Sequence, residues 1–396
     1  MKILLGITGG IAAYKACDLI RMLVNAGHQV RCCLTGAGSR FITPLTLATL
    51  SREPCFGANP EYHEWRPNPK VEHVDLARWA DALVVAPATA DILGKAANGL
   101  ADDLLSTILL AAKCKILWAP AMNTAMWGNR IVQKNIATLA ELGHVIVNPK
   151  SGVLACGETG EGKLADLEDI FEAIQTLLAI PLKALINKNV LVTAGPTCED
   201  LDPVRTLTNR ATGRMGIEMA KAFRDAGALV HLVLGGTMPA PIGIPTNRVR
   251  SAEEMLQACQ ALWPGMDGVC AAAAVADQRP ESCSPQKEKK QDGAETLSLV
   301  RTPDILATLG RSKAHQWMLG FAAESENIID NATEKLSKKG LDAILANDIS
   351  SGGFGDQENS LVPITRHGTA DKIGPLPKDR LAHEAVKWFA GHLEAI

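Results

Sequence analysis

The residues in this chain best able to do chemistry are polar groups set singly among apolar ones. Asn123 stands in "PAMNTAMW", just past a strand end and flanked by Met122, Met126 and Trp127. A carboxamide among large apolar side chains is what a pocket uses to orient a carboxylate or carbonyl. Cys156 opens the glycine-rich "CGETGEGKL". His73 lies in "VEHVDLARWAD", where a lone histidine is more often a surface or satisfied core residue than a base. In the second half, "GPTCEDLDPVRTLTNRATGRMG" sets Arg205 and Asn209 before a helix. "AAAAVAD" carries Ala273 and Ala274 to a strand end where a backbone can approach a ligand, and Asp277 follows as a group able to bind a metal or a ribose. "SPQKEKKQDG", with Lys287, reads as a solvated charged loop or as lysines that neutralise a triphosphate.

The stretch from Gly157 to Lys163 satisfies G-x-x-x-x-G-K, but three features oppose a nucleotide-triphosphate loop. Leu164 replaces the hydroxyl that would bind Mg²⁺, the next helix starts only after Asp166, and the nearest strand, "HVIV", ends well before Cys156. The glycines are expected to be hinges of a mobile lid whose working atom is the Cys156 sulfur.

Such scattered residues need a frame that gathers distant loops, and two are legible. In "KILLGITGGIAAYKACDLIRMLVNAGHQVRCCLT" an apolar strand meets Gly9 and Gly10, then a helix with Ile11, Ala12, Leu19, Ile20 and Leu23 on its apolar face, closed by Gly27 before the next strand. "NVLVTAGPTCEDLDPVRTLTNRATGRMGIEMAKAFRDAGALVHLVLG" repeats strand, glycine loop, helix and strand, with a long insert from Pro196 to Arg214. Further strands are "ALVVAPAT", "KILWAPAM" and "HVIVNP", then "DGVCAAAAVAD", "WMLGFAAE" and "AILAND". Asp166 is the expected N-cap of a helix running to Leu178, and Pro181 follows. The fold class expected is α/β, with two doubly wound, Rossmann-like domains over residues 1–185 and 186–396. Ligands belong where the strands' carboxyl ends open. There the Gly9–Gly10 pair reads equally as a structural tight turn or as a seat for a phosphate, Thr35 and Phe41 can hydrogen bond and stack, and Thr89 and Ser106 add hydroxyls.

Composition agrees. A length of 396 residues, 47% hydrophobic and 4% aromatic, suits two buried parallel sheets. A net charge of −3 argues against nucleic acid as partner. No apolar run spans a bilayer and no signal peptide is visible, so a cytoplasmic enzyme without membrane partners is expected. The ten scattered cysteines, without a CxxC pair, read as reduced thiols.

"GITGGIAAYK", "HVDLARWAD", "APATADIL", "GLADDLLST", "PAMNTAMW" and "LACGETGEGKLAD", in this order, resemble the homo-oligomeric flavin-containing cysteine decarboxylases, specifically the phosphopantothenoylcysteine decarboxylases, over residues 1 to about 178. The resemblance implies FMN held by Gly9, Gly10, Thr35, Phe41, Thr89 and Ser106. It implies oxidation of the cysteine moiety to a thioaldehyde, loss of CO₂ to an ene-thiolate, and return of the electrons by reduced flavin. It casts His73 as base, Asn123 as holder of the substrate carboxylate, and Cys156 as proton donor to the ene-thiolate. With all three present, a non-catalytic regulatory relative is disfavoured.

From about residue 188 to 366 the motifs resemble phosphopantothenate–cysteine ligases, and the order of the halves is that of the bacterial bifunctional proteins of coenzyme A biosynthesis. This implies three reactants: 4′-phosphopantothenate, L-cysteine and CTP. The carboxylate attacks the α-phosphate of CTP to give an acyl cytidylate and pyrophosphate, then the cysteine amine displaces CMP. Mg²⁺ or another divalent cation would offset the triphosphate, with Asp277 as its protein ligand. Asn209, Ala273 and Ala274 match positions at the acyl substrate, with Arg205 for its phosphate. Ala273, Asp277, Lys287, Pro303, Asp304, Ile305, Leu306, Phe321, Lys335 and Lys339 match CTP positions, and Lys287 is cast as stabilising acyl transfer. Departures from the family pattern are Glu288 after the first lysine, Ala211–Thr212 after Asn209–Arg210, and Gln278 after Asp277. A homo-oligomer is also implied, trimeric through the flavin half and dimeric through the ligase half, hence a dodecamer.

Overall fold

The computed structural model describes residues 1–57, 71–155, 157–287, 296–348 and 358–393. It divides into two compact units, Met1–Ala179 and Ile180–Ile396. Residues 180–185 pack with the second unit, where Leu185 is buried and the Leu182 N–H donates to the Ala226 carbonyl at 2.9 Å.

The first unit contains β1 (Lys2–Ile7), α1 (Ala16–Asn25), β2 (Gln29–Leu34), α2 (Pro44–Ser51), β3 (Cys55–Phe56), α3 (Glu72–Trp79), β4 (Ala82–Ala88), α4 (Ala90–Ala97), α5 (Leu104–Ala111), β5 (Lys115–Pro120), α6 (Thr124–Trp127), α7 (Arg130–Glu141), β6 (Val145–Ile146), β7 (Lys150–Val153), β8 (Thr159–Lys163) and α8 (Leu167–Leu178). Its six-stranded sheet has the order β3-β2-β1-β4-β5-β6 and is parallel throughout. The two-residue strand period divides β1 between both faces. Ile3, Leu5 and Ile7 pack with α1 and α8, whereas Leu4 packs with the side of Leu76, Leu93 and Leu105. Each such buried aliphatic side chain contributes about 1.5–3 kcal/mol.

The second unit contains β9 (Asn189–Ala194), β10 (Cys198–Asp200), β11 (Thr206–Thr208), α9 (Arg214–Asp225), β12 (Leu229–Leu234), β13 (Thr246–Arg248), α10 (Ala252–Leu262), β14 (Gly268–Ala271), β15 (Gln278–Pro280), β16 (Leu299–Arg301), α11 (Ile305–Arg311), β17 (Trp317–Glu324), α12 (Ile328–Lys338), β18 (Ala343–Asp348), β19 (Asn359–Thr365), β20 (Gly368–Thr369), β21 (Ile373–Leu376) and α13 (Lys378–His392). The parallel run β13-β12-β9-β14-β17-β18 repeats the winding of the first unit, and β19, β20 and β21 extend it antiparallel. Behind it, Trp317 stacks on Phe223 at 5.7 Å and meets Phe389 edge-on at 4.7 Å.

Several local expectations need correcting. Ile11 is 59% exposed, because a 3₁₀ turn over Ile11–Lys15 precedes α1 and rotates it away from the core. Asp166 does stand at the N-cap of α8, yet its side chain makes no cap bond and instead receives Lys150 Nζ at 2.5 Å. The strand in "DGVCAAAAVAD" ends at Ala271. The insert from Pro196 to Arg214 is a β10–β11 hairpin, with Glu199 and Asp202 buried. Among the described residues no helix is long and apolar enough to cross a membrane, and the described cysteines are free thiols.

Candidate functional site

Winding reverses between β1 and β4, the place where a doubly wound sheet is expected to take a ligand at the strands' carboxyl ends. Thr8 pins it. Its buried hydroxyl donates to the Pro87 carbonyl at 2.7 Å and accepts the Thr89 N–H at 3.1 Å. Sequence reasoning missed Thr8, although a hydroxyl ending an otherwise apolar strand was the available signal. A side chain at Gly9 would run into Ala37, so this glycine serves the close approach of the loops after β1 and β2. Gly10 is open, the nearest atom to an added Cβ being Thr89 Cγ2 at 3.7 Å. The Gly pair does not head an α-helix, because the 3₁₀ turn intervenes and the Gly10 N–H donates to the Thr8 carbonyl at 3.0 Å. Thr35 Oγ1 accepts the Gly38 N–H at 3.1 Å, and Phe41 is 47% exposed.

Ser106 is corrected from ligand to cap. It is buried in the first turn of α5, where its N–H donates to Asp103 Oδ1 at 2.7 Å and its hydroxyl accepts the Asp103 N–H at 3.0 Å. Lys95 Nζ ties the same loop to α4, lying 3.0 Å from Asp102 and 3.2 Å from Asp91. The hydrogen bond to Asp102 raises its pKa first of all. His73 sits half-buried in the first turn of α3, which packs on α5.

Cys156 lies outside the described residues, as does Glu288. The segment around Cys156 is a hairpin, with Gly152 opposite Gly160 and Val153 opposite Thr159. The hinge reading is therefore corrected for two glycines. The Gly162 carbonyl accepts the Met122 N–H at 2.9 Å, and a side chain at Gly162 (φ +134°) would strike the Met122 carbonyl. A Cβ at Gly160 would stand 2.6 Å from Thr124 Oγ1. Both glycines are needed for close approach and pack the arm against the Asn123 loop. At the hairpin base Lys150 Nζ bridges Asp166 at 2.5 Å and Asp169 at 2.6 Å. Asn123 caps α6, its Oδ1 accepting the Ala125 N–H at 2.8 Å while its Nδ2 donates to Glu158 Oε2 at 2.7 Å.

The second unit opens a cleft of about 520 Å³ at the equivalent reversal, between the ends of β9 and β14. Asn209, Ala273, Ala274, Asp277, Phe321 and Lys335 all line it. Asn209 Nδ2 donates to the Ala274 and Val275 carbonyls at 3.1 and 3.2 Å, so the group it still offers is Oδ1, an acceptor. Lys335 Nζ donates to the Phe321 carbonyl at 2.8 Å. Burial, then Lys339, lowers its pKa against the pull of Glu324, Asp277 and Asp304. Gly195 (φ +81°) and Gly213 (φ +88°) bring the start of α9 onto the end of β9, where a Cβ on Gly213 would lie 2.7 Å from Gly195 Cα.

The other sequence-selected residues are not among this lining, although Asp304 and Lys339 act electrostatically on Lys335. Arg205 engages buried Asp202 at 2.7 Å. Burial would raise the Asp202 carboxyl, but the Val204 and Arg205 N–H groups and the Arg205 guanidinium hold it at about 2. Lys287 is exposed. Asp304 is the N-cap of α11, accepting the Ala307 N–H at 3.0 Å, and Pro303 precedes it. Ile305 is buried in the core and Leu306 packs against that core. Lys339 pairs with Asp304 at 3.3 Å. The lining also includes Arg210, Arg214, Asn347 and Lys378, which sequence reasoning missed. Asn347 Oδ1 is buried without a hydrogen-bond partner among the described residues. The signal for the arginines was their placement around Gly213 at a helix start. Of the departures, Ala211 and Thr212 line the cleft, whereas Gln278 pairs with Arg301 in a separate ribbon.

The flavoprotein family model matches residues 1–179, and that of the DNA/pantothenate metabolism flavoprotein C-terminal domain matches residues 185–392. The coenzyme A biosynthesis bifunctional protein CoaBC of Bacillus subtilis (strain 168) is 43% identical over 394 residues, covering 98% of this chain and 96% of its own. Its counterpart from Haemophilus influenzae is 40% identical over 387 residues, covering 97% and 96%. That from Escherichia coli (strain K12) is 39% identical over 387 residues, covering 96% and 94%. With two matching domain families and full-length relatives, the chain belongs to the bifunctional coenzyme A biosynthesis proteins.

Proposed function

We propose that the two activities of this family are housed in the two crevices, one in each unit. The chain is a bifunctional enzyme of coenzyme A biosynthesis, a phosphopantothenoylcysteine decarboxylase and a phosphopantothenate–cysteine ligase.

The first crevice fits FMN. Its backbone is open at Gly10 and Gly36, the Thr89 side chain makes no cap bond, and Phe41 offers an exposed ring. Bound FMN supplies the two-electron oxidation that lets a carboxylate leave a saturated carbon. Asn123 holds that carboxylate, His73 takes a proton, and the Cys156 thiol returns one to the ene-thiolate, which a group of ordinary pKa about 8.5 can do near neutrality. Ser106 serves by fixing the Asp103 loop. Assembly into trimers through this half would cover the exposed Ile11, Tyr14 and Leu45, and dimers of the second half would complete a dodecamer.

In the second cleft the carboxylate of 4′-phosphopantothenate displaces pyrophosphate from CTP, and the cysteine amine then displaces CMP. Lys335, Arg210, Arg214 and the N–H groups at the start of α9 offset the triphosphate charge. Asp277 fits Mg²⁺, which takes one or two protein carboxylates and completes its shell with phosphate oxygens and water. Among the described residues no cluster of three acidic, histidine or cysteine side chains is built for a metal. Phe321 offers a ring to the base, and the orphaned Asn347 Oδ1 suits its amino group. Asn209 Oδ1 suits a hydroxyl or amide N–H of the acyl substrate. Lys287, exposed and not among the cleft lining, is the lysine that stabilises the charge developing in acyl transfer.

The observation carrying this reading is that Asn209, Ala273, Ala274, Asp277, Phe321 and Lys335, chosen from separate segments, line one cleft. The test supplies purified chain with 4′-phosphopantothenate, cysteine, CTP and Mg²⁺. Pyrophosphate release followed by CO₂ and 4′-phosphopantetheine is expected, with a flavin absorbance spectrum. Absence of CTP-dependent pyrophosphate release would sink the ligase assignment, and a colourless protein the flavin assignment.

A further inference from the structure

Glu158, Gly160 and Gly162, on the hairpin arm that ends in β8, all meet the Met122–Thr124 loop, the ladder shifting register at Gly162. Gly162 accepts the Met122 N–H at 2.9 Å, and Gly160 leaves room for Thr124. Glu158, on the same arm, sets Oε2 2.7 Å from Asn123 Nδ2. The other end of the Asn123 amide is fixed by the Ala125 N–H at 2.8 Å, so the NH₂ group is turned toward Glu158.

We propose that Glu158 is a positioning residue that occupies Asn123 as a substrate carboxylate would, and that the arriving substrate carboxylate displaces it. The inference rests on the reading of Asn123 as holder of that carboxylate. Two carboxylates at one amide nitrogen repel each other, so binding the second expels the first. The expelled group belongs to a turn. The Leu154 N–H donates to the Glu158 carbonyl at 2.8 Å and the Gly157 N–H to the Leu154 carbonyl at 2.9 Å. Substrate entry and the hydrogen bonds that join Leu154 to Gly157 and Glu158 are thereby coupled.

The test uses the full chain and two ligands, the substrate 4′-phosphopantothenoylcysteine and the product 4′-phosphopantetheine, which lacks the carboxylate. Glu158→Gln keeps an acceptor for Asn123 and loses the competing charge. KM for the substrate should fall roughly fivefold, the difference between a charged and a neutral hydrogen bond, while Ki for the product stays put. Glu158→Ala should lower KM and also kcat, because the Asn123 amide loses its orientation. Equal changes in KM and Ki, or no change in either variant, overturn the inference. Asn123→Ala, read by equilibrium binding of both ligands, separates the two layers. If preference for the carboxylate ligand survives in Asn123→Ala, the Asn123 reading fails and the Glu158 inference with it. If the preference is lost there but both Glu158 variants match the wild type, only the Glu158 inference fails. Ligase activity of the same chain reports that each variant is folded.

Discussion

Lys335 Nζ donates to the Phe321 carbonyl at 2.8 Å, joining α12 to β17 in the wall of the second cleft. Because burial lowers the Lys335 pKa, its ammonium should be lost at a lower pH than an exposed lysine's, and ligation should decline on that alkaline limb. Lys335→Met removes the charge at similar length, and kcat/KM for CTP should fall about a hundredfold with decarboxylation unchanged. Pyrophosphate release from pH 7 to 10 checks both points. An unaltered alkaline limb in Lys335→Met would assign that limb to another group.

Asn209 binds two carbonyls through one amide nitrogen. Asn209→Asp removes both donors and turns a carboxylate toward the Ala274 and Val275 carbonyls. The expected loss is about 2 kcal/mol, roughly thirtyfold in kcat/KM of ligation. CO₂ release from preformed substrate should be untouched, and loss of both activities would point to misfolding.

Gly162→Ala tests the packed hairpin. At φ +134° and against the Met122 carbonyl, an added methyl stores about 1–3 kcal/mol of strain or lifts the arm from the Asn123 loop. Decarboxylation should fall by about fivefold to 160-fold, by that same energy, with ligation retained. Hydrogen exchange over residues 150–163 should rise. Wild-type exchange and activity would restore the hinge reading.

His383 Nε2 meets Asp225 Oδ2 at 3.1 Å, linking α13 to α9. This hydrogen bond raises the His383 pKa despite burial. The folded value thus exceeds the unfolded one, so the stabilisation is complete below about pH 6.5 and fades as pH rises through the raised value. The imidazole is 48% exposed, which limits the effect to about 0.5–1 kcal/mol. Urea unfolding of His383→Ala should therefore show a deficit at pH 6 that shrinks by pH 9. A deficit independent of pH would mean lost packing instead of a lost ion pair.

Winding was legible in the residues because it is a local signal repeated. Apolar strand, glycine turn and amphipathic helix recur in both halves, and right-handed crossovers leave few ways to assemble them. The loops at the carboxyl ends followed, while Asn209, Asp277 and Phe321 were put together by the family resemblance and line one cleft in the structure. Only the folded chain could show that Ser106 spends its hydroxyl on Asp103, that Gly160 and Gly162 serve packing, that Arg205 answers to Asp202 while Arg210 and Arg214 face the cleft, and that Glu158 already holds Asn123. Residue type states what a side chain can bond to. Which partner it takes is decided by the folded backbone, whether that partner stands three residues away, as Asp103 and Asp202 do from Ser106 and Arg205, or 35 away, as Glu158 does from Asn123.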